Sequence, residues 1–285
     1  MACDRTFYQK FFSLTFTIAL QNLIVFSVSL ADNVMLGAYQ ETSLSGVALA
    51  NQIQFLLQML TMGVGEGVAV LGAQYWGKRD TESIKRILSG ALRLGLVIAA
   101  LLWAAVFFFP HEVLSLFIEE EAVIAEGVSY LRVICFSYSF FSFTNIMLCA
   151  LRSVETVRVG ILVSTSTLII NVCLNYLLIF GNLGAPRLGA AGAAAATLTA
   201  RAAESVILVL YLSFADKKLR LRWRELLSFD RSLFRDYLRT GSPVLASNGI
   251  WGLAMGLQTA ILGHLGSGAV PGNRLATTAF QVLTL

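Results

Sequence analysis

The sequence predicts an all-α, polytopic membrane protein, and three observations carry that expectation. Hydrophobic residues make up 56% of the 285, charged residues only 13%, and mean hydropathy is +0.72. A soluble domain carries charge on about a quarter of its residues. Apolar runs of the ~20 residues needed to cross a bilayer follow one another along the chain. The basic residues also cluster in alternate inter-helix segments. Spans are expected near 11–36, 47–75, 84–109, 128–151, 159–181, 188–214 and 241–263, and an eighth opens near Gly272.

The first span has no charged side chain between Phe11 and Ala31, and Asp32 stands near its far end. Burying a carboxylate there is costly unless it is protonated, ion-bound or open to a wet cavity. Taken alone, Asp32 leaves two readings open: a functional intramembrane acid, or a marker of the helix end among headgroups. Lys10, the apolar run and Ser29-Leu30-Ala31 share features with a signal peptide. The stretch exceeds the usual apolar region and further spans follow, so it is expected to stay as a span.

In the second span Gly63, Gly65 and Gly67 surround Glu66. The glycines permit close helix approach, and Glu66 is expected to face a cytoplasmic vestibule. Gln52, Gln54 and Gln58 add polar groups suited to a cavity lining. The segment 72–79 nearly matches a phosphate-binding loop, but Arg79 replaces the metal-binding hydroxyl and an apolar helix precedes it. An ATP site is therefore not expected. The fourth span carries Arg132 near its outer entrance, where a long side chain snorkels.

The fifth span contains Asn171 and Asn175, four apart and so on one face. Counted at 1.5 Å per residue from Val159, they lie about 18 and 24 Å up the helix. Thr197 of the sixth span lies about 14 Å below Leu188, at a compatible depth. With Asp32 these side chains form an oxygen-rich set suited to a proton or a hard monovalent cation. Read by themselves, the asparagines equally suit interhelical hydrogen bonds. Arg201 and Glu204, at i and i+3, are placed to pair, as cavity groups or as a self-neutralising interface. The small residues 189–196 are expected to form a packing seam.

Segment 215–240 departs from its surroundings. It is basic and amphipathic, as expected of a helix lying on the cytoplasmic surface. It divides the chain into a six-helix lobe (1–214), a connector (215–240) and the start of a second, incomplete lobe (241–285). A weak repeat supports the division: a shift of 226 residues superposes Asn22 on Asn248, Leu36-Gly37 on Leu262-Gly263, and Gly46 on Gly272. Asp32 then falls opposite Gln258, so a second half lacks that acid.

Orientation follows from the basic residues. Arg5 and Lys10, then Lys78 to Arg86, then Arg152 and Arg158, then the eight in 217–239 all lie on one side. The opposite loops hold Arg187 and a run of glutamates between Glu112 and Glu126. By the positive-inside rule the N-terminus is cytoplasmic. The net charge of +4 is thus a topology signal rather than one for nucleic acid. No metal-ligand spacing, nucleophile motif or cofactor fingerprint occurs, so no enzyme activity and no cofactor are expected.

Several segments together resemble the multidrug and toxic compound extrusion (MATE) transporters. They are 31–37 (ADNVMLG), 73–77 (AQYWG), 151–153 (LRS), Asn171-x3-Asn175 followed by Phe180-Gly181, and 188–197. The resemblance implies two six-helix lobes around a cavity, exporting cationic or amphipathic organic compounds from a cell against inward protons or sodium. It implies a plasma-membrane monomer, apparently truncated after the second lobe begins. Asp32 maps to the coupling-ion residue, with Asn171, Asn175 and Thr197 beside it. Two departures stand out. Some members carry Asp where Asn175 stands, which weakens the case for tight sodium binding. Many carry proline where Thr17 stands, and a back-bonded Thr bends a helix less. The alternatives are a lipid-linked precursor flippase of related architecture, which calls for several cavity cations, and an inactive fragment.

Overall fold

The computed structural model describes residues 5–227 and 230–264, and among them there is helix but no strand. Nine α-helices follow in order: α1 (Arg5–Tyr39), α2 (Glu41–Gly77), α3 (Thr81–Phe108), α4 (Pro110–Ser115), α5 (Glu121–Ile134), α6 (Ser137–Ser153), α7 (Arg158–Leu178), α8 (Ala190–Leu210) and α9 (Arg231–His264). Five are long and apolar enough to cross a membrane, or six if α5 and α6, bent by 59°, count as one. The chain is a multi-pass helical membrane protein.

Several boundaries differ from the sequence expectation. The fourth span is broken at Cys135–Phe136, where Tyr138 N donates to Cys135 O in a tight turn. The outer loop 37–46 shrinks to Gln40, whose extended backbone alone separates α1 from α2. Segment 215–240 is not one surface helix. Asp216 accepts from the amides of Lys218 and Arg220, at 3.1 and 2.9 Å, and this local turn competes with helix. A short 3-10 stretch (Trp223–Leu227) follows. The Asp230 carboxylate then takes the Ser232 amide at 2.9 Å and starts α9 ten residues earlier than expected. Carrying Ser242, Ser247 and Asn248, α9 is too polar to rank among the five spans. The eighth helix expected near Gly272 lies outside the described residues.

The core follows from α2, which packs against α3, α5, α6 and α9. Its glycines choose those neighbours. A methyl group added at Gly63 would fall 2.7 Å from Leu245 Cα of α9, and one at Gly65 would fall 2.7 Å from Cys149 Sγ of α6. Two buried apolar clusters stack along it, one around Leu36, Leu57, Leu131 and Tyr138, the other around Val68, Ile84, Met147 and Leu151. The 189–196 seam lets α8 lie against α7, with Ala193, Ala194 and Ala196 fully buried. Along α1, Thr17 donates to Ser13 O at 2.7 Å and the helix runs unbroken.

Candidate functional site

The α1–α7–α8 junction brings together Asp32, Asn171, Asn175 and Thr197. Seven residues separate Asp32 from the end of α1, which lies mainly along α7. The spacing of four in α7 turns both asparagines inward, and neither has any exposed surface. Asn175 Nδ2 donates to Asp32 Oδ1 and also, at 3.1 Å, to Asn171 Oδ1. Asn171 Nδ2 in turn donates to Thr197 Oγ1 at 3.1 Å. Three helices are thereby tied through one line of amides ending on a carboxylate.

One acceptor in that line is left over. Asn175 Oδ1 is buried and meets no hydrogen-bond donor. A buried orphan oxygen costs about 1–3 kcal/mol, which a bound cation or a proton donor would offset. The groups around Asp32 are a neutral amide pair and a hydroxyl, all hard oxygen and nitrogen atoms. They can hold a proton on the carboxyl or offer oxygens to a monovalent cation. Among the described residues no group of three His, Cys, Asp or Glu side chains gathers.

Of the remaining candidates, Arg201 lies one turn from Thr197 on α8, and its charge reaches Asp32 without direct contact. Arg201 and Glu204 pair at 2.8 Å, with the guanidinium 4.9 Å from the Phe141 ring centre. Both are largely buried where α8 meets α6, and the next residue, Ser205, bonds Thr144 of α6 at 3.0 Å. Glu66 faces α9 and accepts from Asn248 Nδ2 at 3.0 Å. Segment 72–77 is the last turn and a half of α2 rather than a loop.

Several polar links were not visible in the sequence. Arg152, read as an orientation signal and as part of the 151–153 segment, donates to the buried Gln21 of α1 at 3.0 Å. Asn145 donates to Thr61 across α6 and α2 at 3.3 Å. Asn248 was visible as the repeat partner of Asn22, but its bond to Glu66 required the fold. Lys85, also read as an orientation signal, is buried between Glu82 and Glu225, at 2.9 and 3.0 Å. It fastens the connector to α3.

The chain is similar to known proteins along most of its length. The MatE family model matches residues 17–177, more than half of the chain. A probable multidrug resistance protein NorM of Thermotoga maritima is 27% identical over 256 residues, covering 90% of this chain and 54% of its own length. The uncharacterized transporter YisQ of Bacillus subtilis is 24% identical over 270 residues, 94% of this chain and 58% of that protein. The solved outward-facing structure of a multidrug resistance MATE family transporter superposes with a TM-score of 0.80 at 20% identity, over 95% of this chain and 59% of that one. The chain thus spans little more than half the length of the proteins it matches. Taken with the helical bundle and the matched segment, these findings show that the chain belongs to the MatE family.

Proposed function

We propose that this chain is the ion-coupling lobe of a secondary antiporter. It exports cationic or amphipathic organic compounds by alternating access, driven by inward protons or sodium. It sits in the plasma membrane with its N-terminus in the cytoplasm, where the basic connector faces anionic lipid. The observation that carries the reading is the bond from the buried Asn175 amide to Asp32. It holds an acid with neutral partners at a three-helix junction, where its charge state can alter packing. The multidrug resistance names of its relatives supply the substrate class.

The mechanism follows from differential interaction. With Asp32 ionised, Asn175 donates to it and α1 is drawn to α7. When the carboxylate takes a proton or a monovalent cation, the orphan oxygen of Asn175 gains a partner and the amide line re-forms around it. The two arrangements are the two states of one element, and an exported compound must favour one of them for export and ion entry to be coupled. Neutral Asn175, in place of a second acid, favours the proton. A flippase for a pyrophosphate-linked lipid would need unpaired cavity cations, and Arg201 is occupied by Glu204.

The test is gradient-driven export in vesicles by Asp32→Asn, which keeps shape and removes the charge. Export should become independent of both proton and sodium gradients. Unchanged gradient-driven export would overturn the assignment.

A further inference from the structure

Asp32 shares one face of α1 with Gln21. They stand about three helical turns, or about 16 Å, apart, and both face α7, Asp32 at Asn175 and Gln21 at Gly160. Gly160 leaves room for the Gln21 amide, which a methyl group there would strike. Gln21 Oε1 also accepts from the Arg152 guanidinium of α6 at 3.0 Å. That is a neutral partner for a full charge, and Arg152 Nε is buried without an acceptor. A second charge is held in the same way. Glu66 of α2 accepts from the Asn248 amide of α9 at 3.0 Å. Among the described residues neither Arg152 nor Glu66 forms an ion pair.

These opposite charges stand side by side. Gly65 of α2 lies against Cys149 of α6, and both charges reach the Cys149 thiol. Glu66 is one residue beyond that contact and Arg152 three, so they differ by about 3 Å in height. Val64 and Ile146 meet at Gly95 of α3. Counted from those two, Glu66 lies about 200° and Arg152 about 240° around their helices. Both therefore point away from α3, on one flank of the α2–α6 pair. Their present partners belong to the helices that open the two halves of the internal repeat, where the shift of 226 sets Gln21 on Ser247, beside Asn248.

We propose that Arg152 and Glu66 are positioning residues that relay a change at Asp32 to α9. The relay rests on the antiport reading above. In the described state two amide bonds hold the charges apart, and together they outweigh one ion pair. When Asp32 takes its cation, α1 shifts against α7 and Gln21 gives up Arg152. The guanidinium then turns to Glu66, whose carboxylate accepts two parallel bonds where Gln21 Oε1 accepts one. Glu66 in turn releases Asn248, and α9 is free to move along α2. The exchange leaves each charge with a partner in both states, as a charge in a poorly solvated place requires. Loss of the cation at Asp32 returns α1 to α7 and reverses the sequence.

The test is a double-mutant cycle of Glu66→Gln and Arg152→Gln, read as Tm in detergent. In the natural sequence the two side chains bond different partners, so their losses should nearly add. With Gln21→Leu present, Arg152 turns to Glu66, and the double variant should fall no further than either single one. Coupling that Gln21→Leu leaves unchanged would overturn the relay. A second measurement is gradient-driven export in vesicles. Glu66→Arg or Arg152→Glu alone should slow export about tenfold. The two together should recover most of the rate, because an amide can turn over and serve either charge. No recovery by the exchanged pair, where the unaltered protein exports, would also overturn the relay. Absence of export by the unaltered protein would instead sink the antiport reading, and the Tm cycle would still decide whether the two charges exchange partners.

Discussion

Asp32 and Glu204 are both carboxylates inside the helical bundle, yet their surroundings are opposed. Asp32 takes its hydrogen bond from a neutral amide, and its charge has no opposite charge in direct contact. Glu204 is paired at 2.8 Å with Arg201, one turn earlier on its own helix. The first acid can change its charge without leaving a bare ion behind. The second cannot, because a lone guanidinium would remain in a buried place. The lesson is that an intramembrane acid whose direct partners are neutral is a better candidate for ion exchange than one locked into an ion pair. A self-paired acid is part of the frame.

The widest separation between the two should appear in stability. Glu204→Gln strands Arg201 and should cost about 3–5 kcal/mol, read as a large fall in Tm in detergent. Replacing both partners, by Arg201→Met with Glu204→Leu, should restore most of that loss. If the double variant is as unstable as the single, the pair is not a self-contained unit. Next in size, Asn175→Leu removes the central amide and leaves Asn171 Oδ1 without its donor, a loss of about 1–3 kcal/mol. Asp32→Asn keeps the shape of its side chain and should shift stability by less than about 1 kcal/mol, while removing coupling. A large drop in Tm for Asp32→Asn would erase the distinction between the two acids.

The smallest effect lies outside the bundle. Asp80 precedes α3, and hydrogen bonds from the Ser83 hydroxyl and amide hold its carboxyl below the ordinary range. Its folded value is lowered, so the cap contributes fully above the ordinary carboxylate range. The contribution is lost as pH falls through the lower folded value. The protection of the Ser83 amide against hydrogen exchange, measured relative to its intrinsic rate at each pH, should fall only in that acid window. Protection that stays unchanged as pH falls through that window would mean that the cap does not depend on the ionised carboxylate.

Legibility in the sequence divided along physical lines. Asn171 and Asn175 could be placed on one face because helical spacing is local, and their depth follows from a fixed rise per residue. The pairing of Arg201 with Glu204 was legible for the same reason. The break at Cys135–Phe136 was not, since no proline or glycine marks it. The early start of α9 was hidden although its cap is local, Asp230 to Ser232, because the amphipathic pattern of 215–240 suggested one continuous surface helix across that point. Lys85 looked like one of many surface cations until the connector folded back and set Glu225 against it.

By itself the sequence determined the all-helical membrane class, the order of the spans and the lone acid in the apolar stretch of the first of them. Those rest on hydropathy and on a helical repeat that each segment carries alone. Only the tertiary structure decided which nitrogen reaches Asp32, and which glycine of α2 meets which neighbour. Such contacts join residues far apart in the sequence, and their distances are set by how whole helices pack rather than by any local preference.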